Sequence, residues 1–316
     1  MIVSCGEALI DFVPMTGVGG TMGYRPCVGG SPMNTAVAMA RLGVATGFLT
    51  RLSTDLFGQM LRDHMRANRV DLSLSVSVDQ PTTLSFVSLD QGDEPQFAFF
   101  PNGAADRSLV AEDLPAALPN TVTCLQFGSI SLMQEPSAST LGDLITREAG
   151  SRIISLDPNV RPGLIPDRIA WRTRLEGWVA LADIIKVSAA DLAWLYPGSA
   201  PLDQADRWRR SGPKLVVVTF GAERSVGLFG DQTVVEPAEK VTVSDAVGAG
   251  DTFHGGLLAG LEQAGVLNAD GLATLSSGTV ARALRLGARA AAITVTRPGA
   301  DPPTMSEVTD RFGPLT

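Results

Sequence analysis

Histidine and cysteine are scarce in this chain, with two and three copies among 316 residues. His64 and His254 share no metal-ligand spacing, so the sequence excludes a histidine-rich zinc site. Cys5, Cys27 and Cys124 are odd in number, far apart and without a CxxC pair. Such a set favours small buried thiols over a disulfide framework, and we expect a protein of the reducing cytoplasm.

Positive charge is also in short supply, because 25 lysines and arginines face 33 acidic residues and leave a net charge of -8. Broad binding to nucleic acid or to anionic membranes needs a basic surface, so we expect neither partner. No run approaches the roughly 20 apolar residues that a membrane-spanning helix needs. The run 1–11 lacks a basic start and is interrupted by Glu7 and Asp11, which favours a buried strand.

Two common nucleotide-binding signatures are missing. The sequence contains no GxxxxGK[ST], so it does not indicate a P-loop kinase, and no GxGxxG, which weakens a dehydrogenase interpretation. With 45% hydrophobic and 18% charged residues, the composition is nevertheless typical of a globular enzyme with a large core. An anionic ligand would therefore need a local site built from the backbone.

Short apolar runs alternate with helical patterns over most of the length. The runs that predict strands are 47–49, 121–127, 152–156, 184–187 and 215–219. This alternation predicts a mostly parallel sheet covered by helices, and continuously apolar strands fit burial on both faces. The expected fold class is therefore α/β.

Segments 11–27 and 73–100 depart from that rhythm. The first is rich in glycine, and the second contains two apolar runs, 74–78 and 84–89, that predict antiparallel strands with a turn at 91–93. We expect a small β-sheet lid inserted into the α/β body. Its apolar face could cover a ligand or pair with a second subunit.

The most informative motif is the small-residue turn 245–256, in which Gly248 and Gly250 precede Asp251. Val241 and Val243 predict a strand before it, and leucines at helical spacing predict a helix after it. Glycines let backbone N–H groups approach an anion at the positive end of the helix dipole. Asp251 would then accept a proton from a hydroxyl beside that anion, or it merely caps the helix; the residue alone does not decide.

A second glycine-rich segment, 29–34, precedes an apolar run that ends at Gly43. Ser31 suits the cap of a helix, Pro32 its first turn and Gly43 its exit. Asn34 would lie near the helix start, where its amide can donate to and accept from a polyol hydroxyl. The same residues also suit a helix entrance with no further role.

Asp11 and Arg161 each follow a predicted strand. Open α/β sheets present ligand residues at the carboxyl ends of their strands. Asp11 could accept two hydroxyl hydrogen bonds there, and Arg161 could donate to sugar oxygens or to a transferring phosphate. Taken singly, an ordinary solvated loop charge is the more frequent case for each.

Together, the two glycine-rich segments resemble the two signatures of the PfkB family, the ribokinase-like carbohydrate kinases. The segments 6–14, 127–132, 157–162 and 219–221 are most similar to fructokinases, so the resemblance covers nearly the whole chain. It implies a single kinase domain over 1–316 with a three-layer α/β/α body, a mostly parallel sheet and a small β-sheet lid made from segments 11–27 and 73–100.

The resemblance also implies roles at matching positions. Asp251 matches the catalytic base, and the backbone of Gly248, Ala249 and Gly250 matches the anion hole for the transferring phosphate. Arg161 matches a residue that faces both sugar and phosphate. The implied sugar-binding residues are Asp11, Gly29, Gly30, Asn34, Phe99, Arg161 and Asp251.

ATP and Mg²⁺ are the implied cofactors, with K⁺ as a further expected cation. The positions implied near the nucleotide are Lys186, Asp191, Thr219, Gly221, Arg224, Gly248 and Gly250. Asp191 is implied to bind Mg²⁺ through a water, because it is one methylene shorter than the usual Glu. Asp245 and the carbonyl of Val247 match part of a monovalent-cation site, although Val247 stands where Thr is common. Ala288 replaces the Asn or His that many relatives have near the adenine.

The expected reaction is ATP-dependent phosphorylation of a primary sugar hydroxyl, with D-fructose giving fructose 6-phosphate. Alternatives within the enzyme class are a 2-keto-3-deoxygluconate kinase, for which Arg107 and Arg161 are candidate carboxylate ligands, and an aminoimidazole riboside or other nucleoside kinase. A different class is a sugar-sensing protein that has lost catalysis, but the presence of both Asp251 and its glycine turn argues against it. The expected partners are the sugar, ATP and a second copy of the chain bound through the lid.

Overall fold

The computed structural model describes residues 1–88, 96–100 and 102–315. Its strands are β1 (Ile2–Cys5), β2 (Leu9–Thr16), β3 (Met22–Gly29), β4 (Thr46–Leu49), β5 (Arg51–Ser53), β6 (Val76–Val78), β7 (Leu84–Ser88), β8 (Gln96–Phe100), β9 (Cys124–Gly128), β10 (Ile153–Asp157), β11 (Ile184–Ser188), β12 (Leu215–Thr219), β13 (Arg224–Phe229) and β14 (Gln232–Pro237). Its helices are α1 (Ser31–Arg41), α2 (Leu56–Ala67), α3 (Ser137–Glu148), α4 (Arg168–Leu181), α5 (Ala189–Leu195), α6 (Pro201–Ser211), α7 (Ala249–Gln263), α8 (Ala269–Ala273), α9 (Ser277–Thr294) and α10 (Met305–Phe312).

Eight strands form the main sheet in the order β14-β13-β12-β11-β10-β9-β1-β4. The six strands from β12 to β4 run parallel, and β13 and β14 add an antiparallel hairpin at one edge. Parallel strands need crossover helices, which here cover both faces and bury the sheet. The carboxyl ends of β1 and β9 to β12 therefore meet along one edge.

Helices pack on each face of the main sheet and give it two separate hydrophobic cores. One core joins α3, α4 and α6 to the sheet and includes Leu156 and Trp178. The other joins α7 and α9 to the opposite face and includes Leu257 and Leu284. This arrangement confirms the expected three-layer α/β/α body.

A small second sheet has the order β3-β2-β7-β8. Strand β2 pairs antiparallel with β3 and parallel with β7, and β7 pairs antiparallel with β8. The interpretation of residues 76–78 as an antiparallel neighbour of these strands is wrong, because β6 pairs in parallel with β5 in a separate two-stranded sheet. Leu89 and the expected turn at 91–93 lie outside the described residues.

The apolar run at the N-terminus forms two strands, β1 in the main sheet and β2 in the small sheet. Strand β1 ends at Cys5, and Gly6 has φ 148°, a backbone conformation that favours glycine. Asp11 is therefore the third residue of β2 in the small sheet and does not lie at the end of the N-terminal strand. The periodicity of the run 1–11 did not reveal this break.

Residues 241–243 form no strand, contrary to expectation. The last strand of the main sheet ends at Pro237, and the segment after it passes along a cleft with Val243 half-exposed. Alternating valines predicted a strand, but none of the described strands pairs with these residues.

Close packing of α1 against α7 brings the two glycine-rich segments together. A Cβ at Gly255 of α7 would lie 2.7 Å from the Cβ of Ala38 in α1, closer than any side chain allows. Glycine at this crossing lets the helix starts, which carry Asn34 and Asp251, approach one another. None of the helices in the described part of the chain has the length and apolar character needed to cross a bilayer.

Candidate active site

Asp251 is a buried carboxylate in the first turn of α7. Its Oδ1 accepts a hydrogen bond from the hydroxyl of Ser31 at 2.6 Å and a longer one from Nδ2 of Asn159 at 3.3 Å. Its Oδ2 accepts from Nδ2 of Asn34 at 2.9 Å. The helix is capped by Gly248, so Asp251 is held by side chains of two other elements and is not the cap residue.

These hydrogen bonds leave one acceptor position of the carboxylate without a side-chain partner among the described residues. An ionised carboxylate offers about four acceptor positions. Two on Oδ1 and one on Oδ2 are filled by Ser31, Asn159 and Asn34. The remaining position on Oδ2 can accept a hydroxyl proton from a substrate.

The pKa of Asp251 is raised above its ordinary value. Burial is the largest cause and the charge of Asp157 adds to it, while hydrogen bonds from Ser31 and Asn34 and the charge of Lys186 oppose it. A carboxylate with a raised pKa is a better proton acceptor than an exposed one. The surroundings therefore suit Asp251 to act as a base.

Two glycines at the start of α7 leave little space for a side chain. Gly248 adopts φ 74°, and a Cβ there would lie 2.5 Å from the Cβ of Ala300. A Cβ at Gly250 would lie 3.0 Å from Nζ of Lys186. This turn leads into the start of α7, where the N–H groups of the first helical turn favour an anion.

Lys186 in β11 is buried and pairs with Oδ2 of Asp157, at the end of β10, over 2.9 Å. Burial lowers the pKa of Lys186, but the carboxylates of Asp157, Asp191 and Asp251 outweigh that effect and raise it overall. Lys186 therefore remains a cation below the glycine turn. This position can neutralise charge on an anion held there.

His254 lies one turn along α7 from Asp251 and is fully buried. Its Nε2 is 2.8 Å from the hydroxyl of Ser155 in β10, and burial with the nearby Lys186 charge lowers its pKa to about 3. The imidazole is therefore neutral at physiological pH. Its hydrogen bond to Ser155 ties α7 to the sheet.

Asp11, Phe99 and Gly29 belong to the small sheet, where the register places the first two on the same face. Asp11 and Phe99 are both opposite Ser85, as Cα partners on either side of β7. A Cβ at Gly29 would lie 2.5 Å from Oδ2 of Asp11, so only glycine leaves that carboxylate its place. Burial raises the pKa of Asp11, against the effects of Ser85 and of the Arg161 charge.

Arg161 lies in the loop that follows β10. Its Nη1 donates to Oδ1 of Asn159 at 2.7 Å and to the carbonyls of Asn159 and Val160. Burial raises the pKa of Asp11 and of Asp191, and the charge of Arg161 opposes part of that rise at both carboxyl groups. The guanidinium is therefore close enough to both carboxyl groups to affect their titration.

A cleft of about 430 Å³ opens beside the glycine turn. Thr219, Gly221 and Arg224 line one side of it, with Ala249 and Gly250 at its inner end. The rest of its wall is mostly small and aliphatic, and includes Ala238, Val241, Val243, Ala246, Ala288, Ala291, Ala292 and Val295. A flat, largely apolar ring system fits such a wall.

Among the described residues, no group of three or more His, Cys, Asp or Glu side chains could hold a metal ion by itself. Asp191 stands in the first turn of α5, and burial followed by the charge of Asp157 raises its pKa. Mg²⁺ commonly binds one or two carboxylates together with substrate phosphates, so a lone Asp191 is compatible with it.

Asp245 organises the loop in front of α7. Its Oδ1 accepts from the N–H of Val247 at 3.0 Å, and its Oδ2 accepts from the N–H of Gly299 at 2.8 Å. The segments 245–248 and 299–300 therefore pack together. Remaining oxygen positions of Asp245 and nearby carbonyls are the ligand type that a monovalent cation requires.

Four residues at this site had no catalytic or binding role assigned from the sequence. Ser31 was expected to cap α1, but Gly30 is the cap residue and the Ser31 hydroxyl donates to Asp251 instead. Asn159 and Asp157 belong to a motif in which only Arg161 was assigned. Glu7 is buried and accepts from the N–H groups of Ser31 and Ser131, each at 3.2 Å. Their motifs were visible in the sequence, but their partners were not.

These residues bring a buried carboxylate with a raised pKa, a glycine turn at a helix start, a buried cation and an apolar cleft into one region. A family model of the pfkB family carbohydrate kinases matches residues 1–307. The chain belongs to this family. The resemblance inferred from its glycine-rich motifs is thereby confirmed.

Relatives in sequence and structure agree with this assignment. The chain is 42% identical over 287 residues to a fructokinase of Rhizobium leguminosarum bv. trifolii, covering 91% of this chain and 86% of the relative. The structure of the fructokinase of Xylella fastidiosa with bound ATP has a TM-score of 0.87 and 30% identity, covering 98% and 97% of the two chains. A double mutant of the Vibrio cholerae O395 fructokinase with fructose, ADP and a potassium ion has a TM-score of 0.83 and 26% identity, with coverage of 98% and 97%.

Proposed function

We propose that this protein phosphorylates D-fructose at its 6-hydroxyl with ATP. The observation that carries the proposal is the buried carboxylate of Asp251, which keeps one acceptor position open beside the glycine turn. Membership of a carbohydrate kinase family and 42% identity to a fructokinase support the choice of reaction and sugar.

Asp251 accepts the proton of the attacking hydroxyl. A sugar alcohol is too weak an acid to ionise beforehand, so the proton moves late, as the bond to phosphorus forms. The N–H groups at the start of α7 hold the phosphoryl oxygens, and Lys186 neutralises part of their charge. Alignment and charge neutralisation supply most of the catalysis in phosphoryl transfer.

The sugar is held by the small sheet and by α1. Asp11 accepts hydroxyl hydrogen bonds, Phe99 covers the ring, and Asn34 with the backbone at Gly29 and Gly30 completes the contacts. Arg161 reaches both sugar and phosphate, consistent with its charge acting on Asp11 and Asp191 together.

ATP occupies the cleft, with its base against the small aliphatic residues and its phosphates toward Gly248 and Gly250. Thr219, Gly221 and Arg224 lie along the nucleotide. Mg²⁺ bound near Asp191, through a water, would neutralise phosphate charge, and K⁺ at Asp245 and the Val247 carbonyl would support the loop before α7. Both groups are consistent with the oxygen ligands present there.

The protein is further proposed to act in the cytoplasm as a dimer formed through the small sheet. Exposed apolar side chains on that sheet, Met22 and Phe100 among them, support a protein contact there. All three cysteines are free, and two of them are buried, which suits a reducing compartment.

The decisive experiment is an ADP-release assay with fructose, 2-keto-3-deoxygluconate, ribose, tagatose, aminoimidazole riboside and other nucleosides, each against a no-sugar blank. We expect the highest kcat/KM with fructose. If fructose gave no more ADP than the blank while another acceptor was phosphorylated, that acceptor would be the substrate and fructose would not. No turnover with any acceptor, combined with sugar binding by calorimetry, would favour the sugar-sensing alternative.

A further inference from the structure

Asn159 holds its backbone in the left-handed region, with φ 39°, two residues after β10 ends. Asn tolerates this conformation better than most residues do. The turn directs the amide toward the start of α1 and the first turn of α7. A shaped turn alone does not require an amide at this position, since glycine would fit equally well.

The two ends of this amide contact different parts of the site. Its Oδ1 accepts from Nη1 of Arg161 at 2.7 Å, and its Nδ2 donates to Ser31 Oγ at 2.7 Å and to Asp251 Oδ1 at 3.3 Å. A guanidinium can only donate, so the amide oxygen must face Arg161 and the NH₂ group must face the carboxylate side. The orientation of the amide therefore follows from its neighbours.

We infer that Asn159 is a positioning residue that couples Arg161 to the carboxylate of Asp251. Through its amide and the Ser31 hydroxyl it fills the acceptor positions of Oδ1 and turns the open position of Oδ2 toward the substrate. The inference deepens the proposed function and rests on Asp251 acting as the base in it.

The coupling has an electrical consequence. Donation from Arg161 polarises the amide and strengthens the N–H groups that face Asp251. Hydrogen bonds to the ionised form oppose the effect of burial on the Asp251 pKa. The other groups facing Asp251 are Ser31, Asn34, the anion of Asp157 and the cation of Lys186, and a substitution of Asn159 leaves the identity of all four unchanged.

Two substitutions test whether Asn159 acts through its amide group or only through the shape of the turn. Asn159→Gly keeps the left-handed backbone but removes the amide. Asn159→Asp keeps the shape and tolerates this backbone, but it removes the donor and puts a negative charge beside Asp251. Asn120→Asp is the matched control, because it adds the same charge at an exposed residue before β9, at the opposite edge of the sheet.

We expect Asn159→Gly to lower kcat for fructose by about tenfold, the size of one lost hydrogen bond to a charged group. Asn159→Asp should lower it further and move the acid limb of kcat/KM to higher pH, because both changes favour protonated Asp251. KM for ATP should stay near the wild-type value. Asn120→Asp should match wild type in all of these quantities.

The pH profile decides the outcome even if the variants are less stable. An acid limb at the same pH in wild type and Asn159→Asp overturns the inference, as does wild-type kcat in Asn159→Gly. The carboxyl resonance of Asp251, assigned with Asp251→Asn and titrated by ¹³C NMR, gives the same comparison without turnover. A wild-type protein that phosphorylates no acceptor defeats the proposed function, whereas an unmoved Asp251 titration in Asn159→Asp defeats this inference separately.

Discussion

Two neighbouring regions of the site differ in how they can hold a ligand: the polar pocket around Asp251 and the apolar cleft beside it. In the polar pocket, the carboxylate of Asp251 is held by directional hydrogen bonds. Their donors are the side chains of Ser31, Asn34 and Asn159. The apolar cleft is lined mainly by alanine and valine, so it offers a ligand mostly surface contact. Atoms that exchange a proton need placement within tenths of an ångström, whereas a flat ring needs only matching shape.

The two regions should therefore differ in their response to substitution. When a buried polar group loses its hydrogen-bond partner, the folded state loses stability, because water cannot reach the group to replace that partner. An aliphatic wall loses or gains a little contact area at about 25 cal/mol per Å². Single changes in the polar pocket should thus have large effects, and single changes in the cleft small ones.

Asp251→Asn should produce the largest effect. The amide keeps the size of the side chain but cannot accept the hydroxyl proton, so we expect kcat to fall by about 10²–10⁴ while sugar affinity changes little. Steady-state kinetics and calorimetry measure the two quantities. Asp231→Asn, at an exposed turn between β13 and β14, is the control and should leave both unchanged. Unchanged turnover in the Asp251 variant would refute the role of the base.

Lys186→Met should strongly lower the unfolding free energy of the protein. It leaves the buried carboxylate of Asp157 without its cation, and breaking a buried ion pair in this way costs about 3–5 kcal/mol of unfolding free energy. Urea unfolding measures the loss. Lys214→Met, at an exposed lysine before β12, should change the same quantity by less than about 0.5 kcal/mol. Equal stability of the two variants would show that Asp157 finds another partner.

Glu7, which is buried near the polar pocket, should make the unfolding free energy of the protein depend on pH. Burial raises its pKa from the ordinary 4.5 to about 7, against hydrogen bonds from Ser131 and Ser129. Its contribution is fully present below pH 4.5 and is lost as pH rises through about 7, because the folded state must then hold a buried anion. A shift of this size corresponds to about 3 kcal/mol.

The comparison of wild type with Glu7→Gln isolates that effect. Between pH 4.5 and 7 the unfolding free energy of wild type should fall relative to that of the variant, and Asp106, whose pKa is also raised, to about 6, is common to both proteins. Glu112→Gln, at an exposed position, should follow the wild-type curve. Parallel curves for wild type and Glu7→Gln would contradict the prediction.

Ala288→Asn should produce the smallest effect, because it adds one hydrogen-bonding group to a wall that otherwise acts by contact. We expect the ratio of kcat/KM for ATP and GTP to change by no more than about tenfold. Kinetics with both nucleotides measure it, and Ala264→Asn, exposed at the end of α7, is the control. A much larger change would mean that the cleft selects its base as strictly as the polar pocket holds its carboxylate.

Local signals in the sequence predicted the elements of this fold well. Apolar runs located five strands of the main sheet to within a few residues, and Gly43, with φ 90°, follows α1 as expected. These signals depend on neighbouring residues only. Pairing depends on distant ones, which is why the strand at 76–78 was joined to the wrong sheet and residues 241–243 were given a strand that does not form.

The sequence by itself determined that a glycine turn precedes Asp251 at a helix start, because a backbone without Cβ atoms and a following helical pattern are local properties. Only the tertiary structure decided what holds that carboxylate. Ser31 and Asn159 lie 220 and 92 residues away along the chain, and they reach Asp251 because α1 and α7 cross closely at Gly255 while β10 ends beside them. A hydrogen bond depends on distance in space, and the packing of helices on a shared sheet sets that distance.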